Sequence, residues 1–205
     1  ALLLEALSAH RTPPAVRRLL AATRLMGFLK PDPEEIEPPS LKFGIRPIGI
    51  PDTWRRAAAQ PCAHKVAKRL GPELAKYGEF GTGVRAGVEV PPRLLQAILE
   101  QDPSTCVDSE DCVNAFNEFC RLKAEKVLRA EDQELWEYFI CYYEMPARQL
   151  FRLANGELVC IWSYKGVIQG DVLGSTTFDL VYTRCVLQPV CTNNPSVVPL
   201  AVHDD

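Results

Sequence analysis

Apolar positions in residues 14–29 recur at helical spacing: Val16, Leu19 and Leu20, then Leu25, Met26 and Leu29. That pattern predicts one amphipathic helix, ended by Lys30-Pro31. The next ten residues, PDPEEIEPPS, hold four prolines and four acids and read as a loop. Residues 42–50 read as extended. Asp52 is placed to cap a helix that carries Trp54, Arg55, Arg56 and an alanine run to about Leu70. Gly78, Gly81, Gly83 and Gly87 mark an irregular turn region, and residues 91–100 read as helix. Cys106 and Val107 lead into an expected strand ending near Asp111, with an expected helix over Asn114–Ala130. A further helix is predicted over 132–145, with Leu135, Tyr138, Cys141 and Tyr142 as its apolar stripe. Two strand-like runs in 148–163 flank Asn155-Gly156, a strong hairpin signal. After Gly174 a helix is predicted through Phe178, Leu180, Val181 and Tyr182, and Val197–Val202 reads as a short apolar strand.

Composition bounds the rest. The 205 residues are 47% apolar, enough for a real core in one large or two small units. No run approaches the 18 uninterrupted apolar residues of a membrane span. The opening Ala-Leu-Leu-Leu-Glu lacks the basic flank of a signal peptide and reads as a helix entered midway. Both ends are therefore expected to be cut from a longer polyprotein with further domains. The net charge of −3 conceals a basic first half, with 15 Lys+Arg against 9 Asp+Glu in residues 1–99. Residues 100–205 carry 8 against 17, so the first half suits phosphates and the second suits metal binding. The eight cysteines form no Cys-x-x-Cys and have no paired histidines beside them. They read as free, mostly buried thiols of a nuclear or cytoplasmic, reducing setting.

Three segments carry candidate chemistry: DCVNAFN at 111–117, GVIQGDVLG at 166–174 and VHDD at 202–205. An isolated Asp111 and a later Asp204-Asp205 pair are what a two-metal phosphoryl-transfer site needs, since its ions must sit about 4 Å apart. Taken singly, each segment has a plainer reading: a core Phe behind a capping Asp, a glycine turn before a helix, a solvated acidic tail.

Order and wording together resemble the reverse transcriptases, above all those of non-LTR (LINE-like) retrotransposons. The family's Gly-Val-x-Gln-Gly-Asp-Pro-Leu-Gly is matched at 166–174 except at Val172, and Ser163 upstream also fits. Arg46-Pro47-Ile48 with Arg55-Arg56 resembles the family's Arg-Pro-Ile…Arg-Arg segment. The likeness is interspersed over about residues 19–205. It implies an α+β right-hand polymerase with a small antiparallel sheet packed on helices. Residues 1–100 would be fingers-like and 101–205 an incomplete palm, with the thumb absent. It implies an RNA-directed DNA polymerase of retrotransposition, with an RNA template, a DNA primer and a dNTP as partners. Asp111, Asp204 and Asp205 would be catalytic and hold two Mg²⁺, with Mn²⁺ an alternative. Phe116 would exclude a 2′-hydroxyl, Arg46 and Lys30 would face the nucleotide, and Gln169 and Gly170 would lie beside the incoming base.

Val172, Val202 and His203 depart from the family's pattern, as do the acids Asp108 and Glu110 just before Asp111. A rival reading follows from them: a catalytically inactive remnant that keeps the fold and at most binds nucleic acid. A metal-binding, cysteine-rich structural domain is a third, which the cysteine spacings oppose.

Overall fold

A four-stranded mixed sheet in the order β2-β1-β3-β4 lies against a helical core. The computed structural model describes residues 12–29, 45–112 and 114–203. Helix α1 spans Pro14–Leu20 and leads into β1, Thr23–Leu29, which pairs antiparallel with β2, Ile45–Pro51. Helix α2 spans Thr53–Ala75, followed by a short 3₁₀ turn at Gly87–Glu89 and α3, Val90–Gln101. Then come α4 (Ala115–Glu118), α5 (Arg121–Glu131) and α6 (Gln133–Tyr143). The hairpin of β3 (Ala147–Arg152) and β4 (Leu158–Ser163) turns at Asn155-Gly156. Helix α7, Gly174–Tyr182, continues through a π-helical turn, Thr183–Leu187, into α8, Gln188–Asn193.

Helix α2 forms where its pattern predicts. Asp52 accepts the Arg55 backbone N–H at 3.0 Å, which satisfies one of the orphan donors of the first turn. The buried positions Arg55, Ala59, Cys62, Val66, Leu70 and Leu74 follow at intervals of three and four and make one inward stripe. Against it pack Leu128 of α5, Leu135 and Phe139 of α6 and Leu180 of α7, all essentially solvent-free. Each such side chain contributes about 1.5–3 kcal/mol through burial. Arg69 on α2 donates its Nε to Asp132 at 2.9 Å, and Asp132 caps α6 by accepting from the Leu135 N–H at 3.0 Å. Helix α7 is buried on all sides, as an apolar helix inside a core must be.

Five expectations are corrected. Residues 14–29 are not one helix: α1 stops at Leu20, and Thr23–Leu29 is a strand. There Thr23 is buried while Arg24, Met26 and Phe28 are exposed, so a period of two governs the segment. The sheet is not purely antiparallel, because β1 pairs parallel with β3 through Thr23–Gln149 and Arg24–Leu150. Residues 103–112 form no strand, and Asp108, Glu110 and Asp111 are exposed where a central strand would have buried them. The helix expected over 114–130 is two helices, broken where Phe119 turns extended (ψ 152°). Val197–Val202 is not a strand: apart from one bridge, Ala201 to Glu79, the segment is irregular. The eight cysteines are free thiols as expected, but only Cys62 and Cys141 are buried. No helix among the described residues is long and apolar enough to cross a membrane.

Candidate functional site

The Gly166–Gly174 segment is held from three sides. From α4, the Phe116 carbonyl accepts the Val167 N–H at 2.7 Å and the Phe119 carbonyl accepts the Gly166 N–H at 2.9 Å. The break between α4 and α5 thus has a structural consequence: it frees the carbonyl that receives Gly166. From β2, Gly49 donates its N–H to the Gln169 carbonyl at 2.8 Å. Two glycines are required by this docking. Gly166 has φ +53° and Gly170 φ +104°. A Cβ at Gly166 would lie 2.1 Å from the Phe116 oxygen, and one at Gly170 would lie 2.6 Å from the Gly49 oxygen. Arg121 of α5 clamps the start of the segment, donating to the carbonyls of Gly166 (2.8 Å), Ser163 (3.1 Å) and Lys165 (3.0 Å). Burial lowers its pKa to about 10, with the nearby Arg55 cation acting in the same direction.

From below, Asp171 is tied into the core. Its Oδ2 accepts from Arg55 Nη2 at 2.6 Å, and the Tyr138 and Tyr143 hydroxyls donate to its two oxygens. The Tyr143 hydroxyl also accepts the Ile168 N–H at 3.2 Å. The Arg55 guanidinium lies 4.2 Å from the Tyr142 ring centroid. Burial works against its charge, but Asp171 and the two phenols more than offset this and raise its pKa. Burial in turn pushes both phenols upward, so they remain protonated donors.

Of the residues singled out in the sequence, the structure brings three motif regions together: Phe116, Gln169-Gly170 and the strand that carries Arg46. Phe116 is half-buried, its ring 5.0 Å from that of Phe178, which stacks on Tyr182 at 5.4 Å. Tyr182 has its pKa raised by burial first, then by Cys112 and Glu110, with Glu79 adding to them. Glu110, Cys112 and Glu79 therefore all lie within electrostatic range of one phenol. Asp111 itself is exposed on the irregular segment. Gln169 is half-exposed, and Gly170 and Arg46 are exposed. Lys30, Asp204 and Asp205 lie outside the described residues.

The residue before that Asp pair is anchored. His203 Nδ1 lies 2.8 Å from Asp179 Oδ2, and its backbone N–H donates to Glu79 Oε1 at 3.2 Å. Glu79 and Asp179 are both solvent-free. Burial, then the neighbouring Asp179, pushes the Glu79 carboxyl up to about 7.

Register places twelve side chains on one face of the sheet: Arg46, Ile48 and Ile50; Arg24, Met26 and Phe28; Arg148, Leu150 and Arg152; Leu158, Cys160 and Trp162. Ten of them are exposed and the two isoleucines half-buried, so among the described residues no layer covers this face. It holds four arginines and no acid. Among the described residues none of the four has a carboxylate partner; Arg148 lies over the Trp162 ring at 5.4 Å, and Arg24 contacts the Met26 sulfur. A cavity of about 310 Å³ lined by Arg18, Arg148, Trp162 and Tyr164 opens beside it.

Sequence reasoning missed much of this. Arg55, matched in sequence only to the family's Arg-Arg pair, has a phase on α2 that coincides with Ala59, Cys62 and Val66 and so points inward. Arg148 and Trp162 sat in a recognised hairpin, but only the register revealed their shared face. Glu79 and Asp179 carried no local signal.

No family model matches the chain, and no curated relative matches its sequence. Among solved structures, it is similar to the telomerase from Candida albicans, determined in complex with the TWJ fragment of telomeric RNA. The TM-score is 0.51 at 14% identity, over 94% of this chain and 38% of that one. The chain thus spans well under half the length of the structure it matches. What the likeness shows is fold alone: the chain shares its architecture with part of that telomerase.

Proposed function

We propose that the chain is a fingers and palm region of an RNA-directed DNA polymerase of the non-LTR retrotransposon kind. The observation that carries this reading is the convergence of Phe116, Gln169-Gly170 and the Arg46 strand through the backbone bonds of Val167, Gly166 and Gly49. Motifs far apart in sequence lie side by side, which supports a nucleotide site there. Phe116 then excludes the ribose 2′-hydroxyl, Arg46 faces the triphosphate, and Gln169 and Gly170 border the incoming base. The donor set fits hard cations, since Asp111 offers an exposed carboxylate and hard cations take oxygen ligands. Asp111, Asp204 and Asp205 would hold two Mg²⁺, which would stabilise the charge developing on the attacking and leaving oxygens. The open arginine face supports RNA as the partner, because cations without carboxylate partners beside exposed aromatic rings suit phosphates and bases together. Telomerase, the structural neighbour, is bound to RNA in its own structure. A nuclear or cytoplasmic setting belongs to the same reading, and the eight free thiols accord with it.

Primer extension on an RNA template, with a DNA primer, Mg²⁺ and dNTPs, tests the proposal. Expected are extension with dNTPs and not rNTPs, and its loss in Asp111→Asn with folding intact. One observation favours the rival reading, a catalytically inactive remnant: residues 103–112 form no strand, which leaves Asp111 on an exposed irregular segment. RNA binding without any extension would decide for the remnant.

A further inference from the structure

Three ionisable side chains meet from three separate parts of the chain. Glu79 follows α2, Asp179 lies on α7, and His203 follows the Ala201 bridge. One ligand-capable atom from each lies within 4.8 Å of the others. Two carboxylates without solvent exposure stand there beside a single histidine. Asp179 Oδ2 faces the Thr82 hydroxyl and His203 Nδ1. Glu79 Oε1 accepts from the N–H groups of Gly81 (2.6 Å) and His203 (3.2 Å). The other oxygen, Glu79 Oε2, is buried with no hydrogen-bond partner among the described residues. An orphaned acceptor on a fully buried acid is costly unless something binds it. The His203 side chain is 34% exposed, so the cluster has a side open to solvent.

We propose that Glu79, Asp179 and His203 bind a divalent cation, of the zinc or manganese class, that pins residues 201–203 to the turn after α2 and to α7. A mixed nitrogen and oxygen donor set favours those ions over magnesium, which prefers oxygen and keeps much of its own water. Three protein ligands leave a fourth position for water on the exposed side of His203. The inference does not depend on the polymerase reading, because the ion would order the chain and take no part in nucleotide transfer.

The test uses the whole chain, freed of metal by a chelator and titrated with Co²⁺ and Zn²⁺ under reducing conditions. Expected are one tightly held ion per chain that persists in Asp111→Asn, a rise in Tm on binding, and a Co²⁺ spectrum lacking thiolate charge-transfer bands. Glu79→Gln lowers affinity by about tenfold or more. Should that variant fail to fold, His203→Ala, at a partly exposed position, shows the same loss of affinity. Asp111→Asn leaves affinity unchanged, which separates this site from the nucleotide-transfer site. No stoichiometric binding, a thiolate spectrum, or affinity indifferent to both Glu79→Gln and His203→Ala would overturn the proposal.

Discussion

Arg55 on α2 and Asp171 in the glycine-rich segment form an ion pair at 2.6 Å, with both side chains entirely buried. Coming 116 residues apart, they fasten the Gly166–Gly174 segment to the longest helix, and two tyrosine hydroxyls complete the carboxylate's shell. A buried pair is weak support for stability as a unit but costly to break from one side. Asp171→Asn and Arg55→Met are each expected to cost about 3–5 kcal/mol, since each strands an opposite charge. The double variant is expected to lose less than the sum of the singles, and chemical denaturation of all three proteins reads this coupling directly. Additive losses would show that the two residues act independently.

Gly170→Ala should destabilise for a different reason. Its φ of +104° and the 2.6 Å approach of a new Cβ to the Gly49 oxygen leave no room, because the obstacle is backbone. A loss of more than about 1 kcal/mol is expected, beyond the ordinary cost of a left-handed alanine. Gly156→Ala is the control: it also has positive φ, but nothing lies within 4 Å of its Cβ, so only the backbone cost remains. Equal losses at the two positions would remove the steric argument.

How much of this was legible beforehand differs element by element. Helix α2 was, because its cap, its three-and-four stripe and its length all agree. The hairpin was legible from Asn155-Gly156. Strand β1 was not, since Leu25, Met26 and Leu29 satisfy helical spacing by coincidence and only pairing with β2 decides the period. The acidic segment before Asp111 was misread as a strand through its motif, against its own charges. Convergence of Phe116 with Gln169 was expected by family order, whereas the means of convergence was not. It depends on carbonyls exposed by a helix break at Phe119, and no composition signal announces such a break.

Thiol reactivity checks the burial pattern without any assumption about function. The Cys120 thiolate is stabilised by the backbone N–H groups of Lys123 and Leu122 at the start of α5, which lowers its pKa. Burial moves Cys62 the other way, to about 12, and Cys141 to about 11. A lowered pKa means more thiolate at a given pH. Alkylation of Cys120 is therefore expected to reach half its maximal rate below the usual thiol value of about 8.5. Cys62 and Cys141 are expected to stay unmodified at pH 8 until the protein unfolds. Peptide mass spectrometry over a time course at several pH values gives the order, and early modification of Cys62 would contradict its place on the inner face of α2.

The open sheet face makes the sharpest claim on function. Arg24, Arg46, Arg148 and Arg152 come from three strands, share one face without a carboxylate, and flank Phe28 and Trp162. If that face carries RNA, Arg148→Glu is expected to weaken binding across sequences and to reduce the dependence of log affinity on log salt by about one phosphate contact. Trp162→Ala is expected to cost about 1–3 kcal/mol on single-stranded RNA through lost stacking while leaving the salt slope nearly unchanged. The two substitutions thus separate charge from stacking in one set of fluorescence titrations. Both side chains are exposed, so Tm should move little in either variant. RNA affinity unaffected by both changes, with the fold intact, would mean that the face serves a protein partner instead, and would remove the main support for RNA as the ligand.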